Sequence, residues 1–181
     1  MGWGNTEAPA RLIWQFGRRE EGATAVEFAL VAFPFIALLM VIFESAIVMF
    51  TDISLQNGVT AASRLIRTGQ VQTQGMSQSA FRKILCDNVA SYIDCSKIRI
   101  DVTKSTTPVV NGVDQQTVDD KTDPERWQTS GPSDWVLVQA RYDWKLFIPQ
   151  ISMLSNYKNG QNEEMRRLTA GALFRNEPYG G

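Results

Sequence analysis

An apolar run with no polar face constrains this chain more than any other feature. From Phe28 to Phe43 no residue is charged, and after Glu44 apolar residues resume with Ala46, Ile47, Val48, Met49 and Phe50. Crossing a bilayer takes about 20 residues at roughly 1.5 Å each, and Phe28 to Ile47 supplies that length. A core helix of a soluble domain keeps a polar stripe, and none is present here before Glu44. A cleavable secretory signal wants an apolar region of only about 7–15 residues, closed by small residues. Here the small residues Ala23, Thr24 and Ala25 stand at the opposite end. The run predicts a single N-terminal transmembrane helix.

Charge and cysteine usage set an orientation. Arg11, Arg18 and Arg19 precede the span, whereas Arg64 and Arg67 follow it only at a distance. The Lys/Arg bias close to a span places the N-terminus in the cytoplasm. Both cysteines, Cys86 and Cys95, lie beyond the span with eight residues between them. A disulfide closing so short a loop contributes about 2.5–3 kcal/mol on the chain-entropy estimate and requires an oxidising compartment. Two buried free thiols are the alternative. With no histidine and no third thiol, a Cys/His metal site lacks ligands. These lines put the rest of the chain outside the inner membrane. A net charge of −1 over 181 residues leaves no electrostatic footprint for nucleic acid.

The helix is expected to continue past the bilayer. Leu55, Val59, Ala62 and Ile66 recur at helical spacing, polar residues fill the other faces, and Gly69 is a stop signal. One helix from about Thr24 to Thr68 then has a membrane half and an amphipathic half. Pro34 tends to kink the first half, and Gly58 weakens the second slightly. A second helix is expected from Ser77, a good cap, with Met76 and Phe81 placed as a hydrophobic staple and Ile84, Leu85 and Val89 continuing the stripe.

Period-two alternation then marks three strands. They run through Ile98, Ile100 and Val102, through Val136 to Leu146, and through Leu168 to Phe174. Such half-buried antiparallel strands need a cover for their apolar face, and the amphipathic half of the long helix provides it. The predicted class is α+β: a long N-terminal helix, a second helix and a small antiparallel sheet. The chain divides into a leader over 1–22, a transmembrane and spine helix over 23–68, and a domain over 69–181. Lys104 to Asp134 reads as a solvated loop, its acidic residues lacking the ligand spacing of a calcium site. Ile148 to Glu164 reads as loop with at most one helical turn near Ile151–Leu154. Arg166-Arg167 reads as a solvated strand edge.

Enzymatic chemistry finds no foothold. There is no histidine, P-loop, dinucleotide fingerprint or nucleophile elbow, and no two carboxylates are singled out by spacing. No catalytic residue, cofactor or metal site is expected.

Glu27 is the residue that needs a reason. An ionised group at the edge of hydrocarbon is costly unless paired. If the chain is cut after Gly22, Ala23 gains a free ammonium four residues before Glu27. Within one helix that pair is loosely matched. Between neighbouring helices, an ammonium on one chain meets the carboxylate of the next and sets axial register. The plain alternative is a carboxylate reaching out to headgroups or water.

The stretch Gly22-Ala23-Thr24-Ala25-Val26-Glu27-Phe28 resembles the cleavage site of type IV pilin-like precursors, in the variant of the tight adherence (Tad/Flp) pilus system. Arg175-Asn176-Glu177-Pro178-Tyr179 resembles the closing motif of TadE-like proteins, the pseudopilins of that system, and Cys86 and Cys95 fit the family pattern. Phe28 stands where the major pilins typically have Tyr, which suits a minor component.

The resemblance implies a non-enzymatic, pilin-like protein. Prepilin peptidase would cut between Gly22 and Ala23, and Glu27 and Phe28 would serve assembly. The implied partners are the inner membrane, the peptidase, TadF- or TadG-like pseudopilins and the major Flp pilin. Two other readings share parts of this pattern: a pseudopilin of a type II secretion-like machine, and an uncleaved, membrane-anchored periplasmic binding domain.

Overall fold

A computed structural model describes residues 20–105, 125–147 and 154–179. The leader up to Arg19, most of the acidic loop and Ile151 lie outside the described residues.

The first described element is one helix, α1, over Glu20–Arg67, and it runs through Pro34 without a break in assignment. By its contacts the chain falls into two units, Met1–Phe43 and Glu44–Gly181. In the first unit, α1 keeps Phe28, Phe33, Phe35 and Phe43 exposed, and no residue of its most apolar stretch is buried. This helix is long and apolar enough to cross a membrane.

In the second unit α1 behaves differently. Leu55, Val59, Ala62 and Ile66 are buried, the residues singled out by helical spacing. They form one core with Phe81 and Leu85, with the inward residues of the sheet, and with Val71. Gly69 takes φ 76°, a left-handed conformation that glycine adopts at little cost, and its N–H closes on the Ile66 carbonyl at 3.0 Å. A single turn, α2 (Gln70–Thr73), follows it. Then comes α3 (Gln78–Asp87), capped as expected: Ser77 Oγ accepts the Ala80 N–H at 3.3 Å. A 3₁₀ turn over Cys95–Lys97 leads into the sheet.

The sheet is antiparallel, in the order β1 (Arg99–Ser105), β2 (Trp135–Lys145), β4 (Glu164–Arg175), β3 (Tyr157–Lys158). Register pairs Ile100 with Ala140, and Ala140 with Ala170, so the apolar faces of three strands line up over the helices. The α+β architecture matches the alternation in the sequence.

Two details differ from the sequence-based expectation. Strand β4 starts at Glu164 rather than Leu168, and β3 pairs with it where a loop was expected. The cause is a local turn: Asn159 Oδ1 accepts the N–H groups of Gln161 and Glu163 at 3.0 and 2.9 Å, folding the chain back on itself. The second difference concerns Gly58, which does more than weaken α1. A Cβ there would lie 2.6 Å from Val89 Cγ1 and 3.0 Å from the Leu85 carbonyl oxygen. The glycine lets α3 approach α1 closely.

Candidate functional site

The residues singled out by sequence sit at three places. Gly22, Ala23, Glu27 and Phe28 lie along the first turns of the described helix, all exposed. A Cβ at Gly22 would meet nothing within 4 Å among the described residues. Ala23 and Glu27 stand one turn apart on the same face. Glu27 has no hydrogen-bond or ion-pair partner among the described residues.

Cys86 and Cys95 are joined in a disulfide with Cα atoms 5.9 Å apart, which decides between the two readings of these thiols. The bridge ties the end of α3 to the 3₁₀ turn ahead of β1. Beside it the Arg82 guanidinium grips Glu125 with two bonds at 2.5 and 2.7 Å and also donates to the Ile98 carbonyl.

The third place is the C-terminal motif, and its members act together as a clasp. Arg175 Nε donates to the Ser133 carbonyl at 2.9 Å. Asn176 is 3 % exposed; its backbone N–H reaches the Asp134 carbonyl, and its amide donates to Ser130 Oγ and the Gly131 carbonyl. The Glu177 N–H takes the Arg67 carbonyl at 2.9 Å, filling one of the acceptors that the end of α1 leaves open. The Tyr179 ring packs over Gly69, where a Cβ would come within 2.4 Å of its Cγ, and the hydroxyl donates to the Ser130 carbonyl. Burial pushes that hydroxyl's pKa up, and the Asp134 charge adds in the same direction. The motif thus locks the end of the spine helix to the turn ahead of β2. Its evident work is structural.

Several polar residues that the sequence did not single out prove integral. Arg167 is not a solvated edge residue: it holds Asp143 with bonds at 2.8 and 3.0 Å and lies 3.5 Å over the Tyr157 ring. Burial pushes the Asp143 carboxyl up against the pull of Arg141 and Arg99, and it pushes the Arg167 guanidinium down. Arg141 and Asp101 form a buried diagonal pair at 2.5 Å across β1 and β2. This pair offsets the facing of Arg99 and Arg141 in the same register.

Glu44, the acid inside the apolar run, is 3 % exposed and accepts the Phe147 N–H at 2.5 Å, so it ties the chain after β2 to α1. Two side-chain amides occupy the outer edge of β4. Gln56 bonds both the N–H and the carbonyl of Gly171, and Asn156 does the same at Arg167. None of these pairings has a one-chain signature, since each joins residues far apart in sequence. Among the described residues no three Cys, Asp or Glu side chains are arranged to hold a metal ion.

Comparison with known proteins bears on the first place. The model of the family described as TadE-like protein matches residues 22–64. The match opens at Gly22 and covers α1 to within a turn of its end, leaving the sheet and the C-terminal motif outside it. No curated protein and no solved structure matches the chain. Over residues 22–64, the stretch that holds its apolar helix and Glu27, this chain is similar to TadE-like proteins.

Proposed function

We propose that the chain is a minor pseudopilin of a Tad/Flp pilus, acting in assembly without catalysing a reaction. The TadE-like match supports a place in the Tad system, and one observation carries the finer reading. The match begins at Gly22, two residues into an exposed apolar helix whose first acid past that glycine, Glu27, has no partner among the described residues. On this reading the precursor enters the inner membrane with its N-terminus in the cytoplasm. Prepilin peptidase cuts after Gly22, and the disulfide-bearing domain stands in the periplasm. The Ala23 ammonium of one subunit meets Glu27 of a neighbour, where low dielectric strengthens the attraction. Phe28 packs beside that contact. The neighbours are other pseudopilins of the TadF- or TadG-like kind, with the major Flp pilin as the growing fibre.

The test is the mass of the protein in cells that hold the peptidase. Wild type loses the leader, and Gly22→Leu keeps it. A Gly22→Leu protein that still loses the leader mass sinks the reading.

A further inference from the structure

The second unit carries an open groove of about 650 Å³ lined by Ile47, Phe50, Ile53, Tyr92, Trp144 and Phe147. Among the described residues no charged side chain lines it, and Ser54 and Asn57 are polar members of the lining. Phe50, Tyr92 and Phe147 are 68, 51 and 69 % exposed. A soluble surface rarely leaves large apolar residues clustered like this without a use for them.

Chain length decides what that use is. The apolar run reaches its twentieth residue at Ile47, which is also the first residue of the groove lining. Ile53 follows six residues later, about 9 Å farther along a helix. The headgroup layer on one side of a bilayer is roughly 5–8 Å deep, given a hydrocarbon core of about 30 Å within a total of about 40–45 Å. The first part of the helical wall, Ile47 and Phe50, therefore falls at headgroup depth, with Ile53 at its outer limit. The other wall faces it with three aromatic rings, and Tyr and Trp are the residues enriched at membrane interfaces. Trp144 and Phe147 are in edge contact at 5.9 Å, so this wall is a packed unit. Glu44 fixes its position by holding the Phe147 N–H.

We propose that this groove is a lipid-seating surface: acyl chains and glycerol backbones of the bilayer that α1 crosses occupy it and hold the domain down on the membrane. The proposal rests on the reading of α1 as a membrane span. It is independent of cleavage at Gly22 and of any pilus partner.

Spin labels at single introduced cysteines test it in the full chain, reconstituted in vesicles of phosphatidylcholine and phosphatidylglycerol. Leu38→Cys reports the span, Tyr92→Cys and Phe147→Cys report the groove, and Gln74→Cys on the exposed turn after α2 serves as the aqueous reference. Labels at 38, 92 and 147 should lose broadening by a water-soluble nickel chelate yet keep broadening by oxygen; the label at 74 should keep both. A label at 38 that stays open to nickel removes the span, and the proposal falls with it. Lipid depth at 38 with full nickel access at 92 and 147 overturns the groove alone. Loss of both broadeners at 92 and 147, with dipolar coupling between copies, assigns the groove to a second protein chain and overturns the lipid proposal. In chains without a label, brominated lipids should quench wild type more than Trp144→Phe; equal quenching counts against the proposal.

Discussion

The two halves of α1 carry similar hydrophobic residues and use them in opposite ways. Up to Phe43 the large side chains face outward on every side of the helix. From Glu44 onward, Val48, Leu55, Val59, Ala62 and Ile66 go inward, and Asp52, Gln56 and Arg64 face water. What separates the halves is arrangement more than hydrophobicity. A helix apolar all round can be satisfied only by lipid or by other helices, whereas a stripe is satisfied by one packed partner. One helix therefore has a length before Glu44 that is exposed and apolar enough to belong to a membrane span, and a striped length after it that joins the core.

The sharpest test of that contrast replaces one phenylalanine in each region. Phe81→Ala empties a fully buried position in contact with Trp127, and should cost about 3–5 kcal/mol in chemical unfolding of the domain. Phe33→Ala, at a position 78 % exposed, should leave that unfolding midpoint where it was. A comparable loss at Phe33 would mean that the first half also has a protein core.

Gly58 gives a test in which two effects predict opposite signs. Helix propensity alone makes Gly58→Ala stabilising by about 1 kcal/mol. The approach of Val89 and the Leu85 carbonyl makes it overpacked instead, at about 1–3 kcal/mol. We expect a net loss, read as a lower denaturation midpoint. A gain would show that α3 yields easily.

The smallest effect belongs to the C-terminal clasp. Tyr179→Phe should cost about 0.5–1.5 kcal/mol through the lost bond to Ser130. The hydroxyl's folded pKa lies above its ordinary value of 10.0, so folding is favoured fully while the unfolded chain also keeps the proton. That contribution is present below 10.0 and is lost as the pH rises through the folded pKa. Wild type should therefore lose stability in alkali faster than Tyr179→Phe. Parallel alkaline curves would remove Tyr179 from the clasp's energetics.

Much of the fold was legible because period and capping are local. The stripe over Leu55–Ile66, the Ser77 cap and the alternation through Ile100, Val138 and Ala170 each follow from neighbours within a few residues. Hairpin β3–β4 was legible in principle from Asn159-Gly160, but two strand residues are too few for alternation to register. Arg167 was misread because a cation at a strand edge looks alike whether it meets water or, as here, Asp143 and Tyr157. In the candidate site, Gly22 and Glu27 stood out through the cost of an acid beside hydrocarbon, a one-dimensional argument. The C-terminal motif was recognised as a pattern, but its work on Arg67, Gly69 and Ser130 was not, since those residues are distant in sequence.

By itself the chain of residues determined a membrane-length helix, the place where its pattern turns from uniform to striped, and the faces of the strands. Hydrophobic burial depends on composition and period, and both can be read along a line. Only the folded arrangement decided that Glu44 would hold Phe147, that Gly58 would admit α3, and that three aromatic rings would gather beside Phe50. Those outcomes depend on close approach between distant segments, and short-range contact is a property of three dimensions.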